Sequence, residues 1–284
     1  MSWGAILAVA AGIALILAAI VVLSCRWLQA RRYTQTVPGL PEGFDGVRIA
    51  HLSDLHSARF GKNQARLADK VRRAAPDLVC FTGDMISAKD PDGAAFFELC
   101  RALGDLPRYG VWGNHEQRSV LLDRAACRRE LEGMGVVWLD GERVWLERAG
   151  ARVCLAGALL PRAHYKHPNA PRLDPDGAAL TAMMGAKPAE TTILLTHSPL
   201  DLAGYADWGA EVVLTGHMHG GMVRLPFLGG ALSPEKRFFP HFDGGLFRQG
   251  NCQMVNSRGL GLGTFPIRLF CRPEIGLIVL RAAP

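Results

Sequence analysis

The chain has 284 residues, of which 49% are hydrophobic and 20% are charged, and its formal net charge is +6. This length provides one large domain or two small ones, with ample material for a core. The modest positive charge comes without a basic and aromatic nucleic-acid-binding motif, so no nucleic acid is expected as a partner. The seven cysteines lie mostly in apolar runs without a C-x-x-C pair, which excludes a disulfide framework and indicates a reducing compartment.

The N-terminal segment carries no charged side chain from Met1 to Cys25. As a helix, its apolar run would be roughly 30 Å long, enough to cross one bilayer. A cleaved signal peptide is the alternative, but it normally has basic residues before its apolar run, and none occurs here. Residues 1–25 are therefore predicted to be an uncleaved transmembrane anchor. Because Arg26, Arg31 and Arg32 follow it, the positive-inside rule places the rest of the chain in the cytoplasm, at the cell membrane.

The segment 26–43 is predicted to be a basic juxtamembrane linker, because prolines and glycines cluster at its end. The soluble domain is then expected over 44–284. In its first half, apolar runs typical of buried strands alternate with amphipathic patterns. Strands are predicted at 47–53, 77–82 and 109–112, and helices at 61–75, 94–103 and 119–131. This alternation indicates a parallel sheet that is buried on both faces.

The second half of the domain begins with shorter strands at 136–139, 143–147 and 152–155, which predict antiparallel hairpins joined by tight turns. Residues 161–176 read as a loop rich in proline. Further strands are predicted at 192–196, 211–215, 253–257 and 275–280, with helices at 176–184 and 200–205. Two packed sheets, each with helices outside, satisfy this order.

A set of polar side chains follows the ends of these strands. It comprises Asp54, His56, Asp84, Asn114, His197, His217 and His219. Open α/β sheets place their sites there, and carboxylates and imidazoles are ligands for transition metals. Any one of these residues would also fit as a polar side chain at a sheet edge. One ion takes about four to six ligands, so the whole set indicates two ions that share a carboxylate, for which Asp84 is the natural bridge.

The motifs Asp-Leu-His, Gly-Asp, Gly-Asn-His-Glu, Thr-His-Ser and Gly-His-Met-His follow one another in that order. This order resembles the calcineurin-like metallophosphoesterase superfamily over nearly all of 47–280, and it implies a four-layer α/β/β/α sandwich. The apolar N-terminus and the tail motifs at 257–261, 266–268 and 272–275 are similar to a membrane-anchored bacterial branch of YkuE- and YaeI-type phosphoesterases. That branch includes an enzyme that cleaves the pyrophosphate of UDP-2,3-diacylglucosamine.

The resemblance also implies a role for each residue. Asp54, His56, Asp84 and His219 match one metal site, and Asp84, Asn114, His197 and His217 match the other. His115 matches the histidine that faces the scissile phosphate, where it would stabilise developing charge or protonate the leaving oxygen. Asn114 and His115 are accordingly expected to contact substrate, with His115 and Asp84 as catalytic residues. The implied cofactors are two divalent ions, Mn, Fe or Zn, all of which this ligand set accepts.

Several residues around this set have two interpretations. Arg258, in a glycine-rich turn, is predicted to bind phosphate or else to pair with a carboxylate, and Arg59 faces a similar choice. His164 and His167 either cover the pocket or are solvated. The apolar and basic loop 225–247 either dips into the membrane interface and receives a lipid chain, or fills a local core.

The sequence therefore predicts a dinuclear-metal-dependent hydrolase of phosphate esters or pyrophosphates at the membrane. A glycolipid of the UDP-2,3-diacylglucosamine type is the most specific substrate that the resemblance implies. One alternative is a phosphodiesterase or phosphatase for soluble nucleotides or phosphoproteins. Another is a non-catalytic metal-binding module, against which the complete ligand set and His115 argue.

Overall fold

The computed structural model of the chain describes residues 2–165, 176–225, 227–263 and 267–283. Its α-helices are α1 (Trp3–Arg26), α2 (Ala65–Arg73), α3 (Ala94–Leu103), α4 (Asn114–Arg118), α5 (Arg124–Gly133), α6 (Gly177–Met184) and α7 (Leu202–Trp208). Its strands are β1 (Gln29–Val37), β2 (Arg48–Leu52), β3 (Leu78–Thr82), β4 (Arg108–Val111), β5 (Val136–Trp138), β6 (Arg143–Arg148), β7 (Ala151–Ala158), β8 (Thr192–Thr196), β9 (Val212–Thr215), β10 (Arg224–Leu225), β11 (Gly229–Gly230), β12 (Gly245–Gln249), β13 (Cys252–Asn256) and β14 (Glu274–Ala282).

The first sheet has six strands in the order β1-β14-β2-β3-β4-β5. Strands β2 to β5 run parallel, so their carboxyl ends lie at one edge of the sheet. The C-terminal strand β14 pairs antiparallel with β2 and parallel with β1. Every residue of β3 is buried, as expected for a parallel strand that is covered on both faces.

The second sheet also has six strands, in the order β12-β13-β9-β8-β7-β6. Strands β7, β8, β9 and β13 run parallel, and β6 and β12 are antiparallel edge strands. A two-stranded ribbon, β10 with β11, stands apart from both sheets.

The two sheets pack face to face through one apolar layer, and each sheet has a second apolar layer beneath its helices. Ile49 of the first sheet and Leu195 of the second lie in the central layer. Helix α2 illustrates the outer packing, since it buries Leu67 and Val71 and exposes its basic residues. This layering confirms the predicted α/β/β/α sandwich. All seven cysteines lie in described residues and are free thiols.

Three predicted elements differ in the structure. Residues 29–37, predicted to be linker, form the edge strand β1, because Tyr33, Gln35 and Val37 alternate inward along β14. Strand β5, predicted to belong to a hairpin, instead joins the first sheet parallel to β4. The helix predicted at 119–131 begins only at Arg124, since the Asp123 carboxylate accepts a hydrogen bond from the Ala126 N–H and caps α5, and a separate short helix, α4, precedes it.

Helix α1 has the length and composition of a membrane-spanning segment, and its apolar window makes no buried contacts. Its N-cap is Ser2, whose hydroxyl accepts a hydrogen bond from the Ala5 N–H, and its C-cap is Trp27, shortly before β1. The remaining described helices are much shorter.

Candidate metal centre

The predicted metal-binding side chains come from loops that follow five strand ends. Asp54 and Asp84 follow β2 and β3 of the first sheet, and His197 and His217 follow β8 and β9 of the second. Asn114 follows β4 and opens α4. Because the parallel strands of both sheets end on the same side of the sandwich, their side chains converge across the gap between the sheets.

Many of these residues have an unusual backbone conformation. The φ angle is 52° at Asp54, 47° at His56, 52° at Asp84, 72° at His217 and 52° at His219. This left-handed region costs a side-chain-bearing residue about 1–3 kcal/mol, although Asp and His tolerate it better than most. The sharp turns aim the side chains into one small volume, which is the pattern expected when backbone strain serves a site.

Three groups of ligand atoms lie close enough to hold a metal ion, and two of them match the predicted sites. In one, the His219 Nε2 atom is 3.4 Å from Asp54 Oδ1, and the Nε2 atoms of His56 and His219 are 3.0 Å apart. In the other, His197 Nε2 is 3.2 Å from Asp84 Oδ2, and His217 completes the group. His56 lies between the groups, with its Nε2 atom 3.8 Å from Asp84 Oδ2 and 4.0 Å from Asp54 Oδ1.

The donor chemistry of these residues fits two ions. The buried Asn114 Oδ1 atom makes no hydrogen bond to a described residue, so this oxygen is available as a ligand. The His197 Nδ1 atom lies 2.6 Å from the Thr82 carbonyl oxygen and donates to it, so Nε2, which faces Asp84, is the nitrogen that would bind an ion. The Asp54 carboxylate is oriented by the His217 N–H, 3.1 Å from both of its oxygens.

Burial and neighbouring charges shift the pKa values of the candidate ligands in different directions. Burial lowers the pKa of His56 to about 3 and that of His115 to about 4, despite the opposing charge of Asp84, so both imidazoles are neutral at pH 7. Burial by itself disfavours the charged form of Asp84, but interaction with His197 above all holds the pKa of this carboxyl well below its usual range. In turn, burial opposes the charged form of His197, but Asp84 and Asp54 raise the pKa of this imidazole to about 10, so His197 would release a proton when it binds an ion.

Glu116 is a supporting residue that the sequence analysis did not single out. Its fully buried carboxylate accepts hydrogen bonds from the N–H groups of Asp84, Ile86 and Gly113, at 2.9–3.0 Å. It thereby holds the loops after β3 and β4 together. Its place as the fourth residue of the Gly-Asn-His-Glu motif was the available signal.

A cavity of about 110 Å³ opens onto the centre. Besides Asp84, Asn114 and the three histidines His115, His217 and His219, its lining includes Arg118, Tyr165 and Glu235. Arg118 is exposed, and its guanidinium Nη2 lies 2.7 Å from His115 Nε2. No motif marked Arg118, because it approaches His115 through the one-turn spacing of α4.

Arg258 and Arg59 lie away from this cavity. The Arg258 Nε atom is 3.5 Å from Glu274 Oε2, a placement that favours its alternative interpretation as the partner of a carboxylate. Arg59 likewise pairs with Glu98, with Nη2 3.1 Å from Oε1. His164 is buried in a short turn next to Tyr165, which differs from the solvated alternative. His167 lies outside the described residues.

Comparison with known proteins identifies the family. The model of the calcineurin-like phosphoesterase family matches residues 47–221, more than half of the chain. The chain belongs to the calcineurin-like phosphoesterase family. It is 25% identical to the metallophosphoesterase YkuE of Bacillus subtilis, over 86% of this chain and 82% of that protein. It is also 25% identical to phosphodiesterase YaeI of Escherichia coli, over 82% of each chain.

A third relative is a transmembrane protein with a metallophosphoesterase domain from Bos taurus, which is 28% identical over 86% of this chain and 55% of that protein. These findings confirm the predicted resemblance and the predicted class of metal-dependent phosphoesterase. Calcineurin-like phosphoesterases normally hold two divalent ions, and the aspartate and histidine groups described above form a candidate site for them.

Proposed function

We propose that this chain hydrolyses phosphodiesters or pyrophosphates at a membrane surface with two divalent ions. Asp54, His56, Asp84 and His219 would hold one ion, and Asp84, Asn114, His197 and His217 the other. The observation that carries the proposal is the convergence of these groups from both sheets on Asp84. When bound, the ions supply Lewis acidity and neutralise the charge of the substrate phosphate.

We expect His115 and Arg118 to contact the substrate. The His115 Nε2 atom is 3.8 Å from Asp84 Oδ2, and its ring lines the cavity. The N–H of the neutral ring would donate a hydrogen bond to a phosphate oxygen and stabilise the developing charge, whereas protonation of the leaving oxygen would require the imidazolium form. Arg118 presents a guanidinium at the cavity mouth, where it would bind phosphate in place of the sequence-predicted Arg258.

The membrane location is supported by α1, by the three arginines that follow it, and by the bovine relative's description as a transmembrane protein. The arginines favour a cytoplasmic catalytic domain. The phosphates of a membrane-bound pyrophosphate, such as a UDP-2,3-diacylglucosamine-type glycolipid, would then lie at the membrane surface that the catalytic domain faces. Manganese, iron and zinc all suit the ligand set.

The test is hydrolysis of bis-p-nitrophenyl phosphate by the full chain in detergent, after chelation and after return of Mn²⁺. The full chain is used because β1, next to α1, belongs to the first sheet. We expect turnover only with metal, and we expect Asp84→Asn and His115→Ala each to lose at least about 100-fold. Metal analysis should also show that Asp84→Asn retains fewer ions. Asp69→Asn, which removes an exposed carboxylate on α2, is the matched control and should behave as the wild type.

Full turnover by Asp84→Asn with both ions retained would exclude this assignment. If the wild type binds two ions but cleaves no generic diester, the next assay uses a UDP-linked glycolipid as substrate, to distinguish a selective enzyme from a protein without activity. Cleavage of the glycolipid would indicate a narrow pocket, and no cleavage would favour the non-catalytic metal-binding module.

A further inference from the structure

Six exposed apolar side chains lie on chain segments that contain or pair with the loop lining the cavity of the candidate metal centre. We call them the apolar rim, and they are Leu225, Phe227, Leu228, Phe238, Phe239 and Phe270. Phe227 is fully exposed, and Phe238, Leu228, Phe239 and Phe270 are 77%, 66%, 56% and 51% exposed. These exposures exclude a local core made of Phe227, Phe238 and Phe239, whereas Phe242 and Phe247 of the same loop are half-buried and pack against the core of the second sheet. So many neighbouring exposed aromatic residues indicate a surface that contacts another apolar phase.

The rim is joined to the end of α1 by hydrogen bonds. The Phe270 N–H donates to the Ser24 hydroxyl in the last turn of α1, at 3.2 Å. Leu269 pairs with the start of the β10–β11 ribbon, because the Arg224 N–H donates to its carbonyl oxygen at 2.9 Å and its own N–H donates to the Met222 carbonyl oxygen at 3.1 Å. The ribbon that carries Phe227 and Leu228 is therefore continuous with the helix end.

The same stretch of chain reaches the metal centre. The Ala231 N–H donates to the Val223 carbonyl oxygen at 2.7 Å, and the Phe239 N–H donates to Ala231 at 3.0 Å. Between these residues, Pro234 and Glu235 line the cavity of the metal centre. The loop 231–239 thus presents its middle to the site and its aromatic end to solvent.

The length of α1 indicates where the apolar rim lies relative to the bilayer. Its 24 residues span about 36 Å, slightly more than the hydrocarbon thickness of about 30 Å. If α1 crosses the bilayer, Ser24 would lie at the boundary between the hydrocarbon and the headgroups. Trp27 follows, 56% exposed with the Arg272 guanidinium 4.7 Å above its ring, an arrangement typical of that boundary. Phe270, bonded to Ser24, lies at the same level.

Charge next to the rim also fits a lipid surface. Lys236 and Arg237 directly precede the two exposed phenylalanines 238 and 239, and both are exposed. Within the part of the chain that the structure describes, neither forms an ion pair. A basic pair beside aromatic side chains is typical of segments that bind anionic lipids at the interface.

We propose that the apolar rim inserts into the same leaflet in which α1 ends, with Lys236 and Arg237 at the headgroups. The cavity of the metal centre then opens along the membrane surface, and its substrate is a phosphate ester carried by a lipid of that leaflet. This substrate class rests on the proposed hydrolytic function, whereas the insertion of the rim does not require turnover.

Insertion is tested by depth-dependent quenching in the full chain. Single cysteines replace Phe227, Phe239, Leu15 in the middle of α1, and Glu147 on β6, the second-sheet edge strand farthest from β12. Cys25→Ser removes the half-buried native thiol; the other six are buried. Each variant carries an environment-sensitive fluorophore in nanodiscs with doxyl-labelled anionic lipids. We expect Phe227→Cys and Phe239→Cys to be quenched about threefold more than Glu147→Cys.

If the label at Leu15→Cys is quenched but the rim labels are quenched no more than the label at Glu147→Cys, then α1 spans the membrane and the rim does not insert, which overturns the proposal. An unquenched Leu15→Cys would overturn both. Rim labels that are shielded in detergent and insensitive to doxyl lipid would show a protein partner or a second copy on the rim, which also overturns it.

The substrate class has its own measurement. We expect the double variant Phe227→Ser/Phe239→Ser to lose about tenfold in cleavage of a diacylglyceryl p-nitrophenyl phosphodiester in anionic vesicles. Its cleavage of water-soluble bis-p-nitrophenyl phosphate should change less than about twofold, because neither side chain lines the cavity. Equal losses on both substrates would refute the lipid assignment. A wild type that cleaves neither compound would refute the proposed function, while the quenching result would still decide the rim.

Discussion

Arg268 provides the sharpest test of how the C-terminal tail supports the metal centre. Its side chain is 1% exposed. The guanidinium donates to the Gly261 carbonyl oxygen from Nε at 2.9 Å and from Nη2 at 2.6 Å, and to the Arg258 carbonyl oxygen from Nη1 at 2.8 Å. Its Nη2 atom also lies 3.3 Å from His219 Nδ1. One buried fork therefore links two tail segments to a predicted metal ligand.

Arg268→Lys keeps the charge but replaces this fork with a single ammonium group. A lysine can reach one of the two carbonyl oxygens, so at least two charged hydrogen bonds are lost. At about 1.5 kcal/mol or more each, the free energy of unfolding falls by about 3 kcal/mol. For a chain of this size that corresponds to a decrease in Tm of about 6–12 °C.

The measurement is thermal unfolding followed by circular dichroism in one detergent, with metal analysis of the same samples. Arg281→Lys is the matched control, because Arg281 is 46% exposed and pairs with Asp45 at the surface. Its Tm should stay within about 2 °C of the wild type. We also expect Arg268→Lys to bind metal about 10-fold more weakly, since the tail no longer positions His219. Equal Tm values for the two variants would refute the reasoning.

Three further predictions concern the folded domain and its ions. Burial lowers the pKa of His51 to about 3, so the unfolded state binds the extra proton, and stability is lost as the pH falls from about 6.5 towards 3. Between pH 7.5 and pH 5, protonation of His51 in the unfolded state should lower the free energy of unfolding by about 2 kcal/mol. In urea unfolding over the same pH range, His51→Gln should therefore lose less stability than the wild type by that amount; equal losses would contradict the prediction. Gly113→Ala should abolish metal binding in elemental analysis, because the new methyl group overlaps the Asp84 carboxylate, whereas Gly133→Ala, with open space around it, should bind normally. Chelation should lower Tm by several degrees and Mn²⁺ should restore it, since binding to the folded state alone is stabilising; an unchanged Tm would exclude a resident metal.

The strands and helices of the first half could be predicted because their signals are local. Buried strands such as β3 are continuous apolar runs, and each polar motif follows such a run. Strand β1 was missed because its pattern is that of an edge strand, in which the consecutive residues Arg31 and Arg32 are both exposed. Its partner β14 lies more than 240 residues along the chain, so no local pattern indicates the pairing. The same reason applies to β5, whose short apolar run fits a hairpin or a parallel edge equally well.

The candidate ligands could be named from the sequence because each belongs to a motif at a strand end. Arg118 and Arg268 could not, because their importance depends on which atoms the fold brings beside them. Arg258 illustrates the converse, since its glycine-rich surroundings suggested a phosphate site and the fold gives it Glu274 instead. Motifs therefore predicted the centre, and tertiary contacts decided its surroundings.

The centre also joins the two sheets, which explains why metal binding and folding should be coupled in this chain. The His197 Nδ1 atom, from the second sheet, donates to Thr82 of the first, and the His217 N–H, also from the second, donates to Asp54 of the first. Ions shared by Asp54, Asp84 and these histidines would reinforce the same junction. Their binding would also offset the cost of the left-handed turns that present the ligands. Removing the ions should therefore loosen the edge where both sheets end, while the apolar layer between the sheets persists.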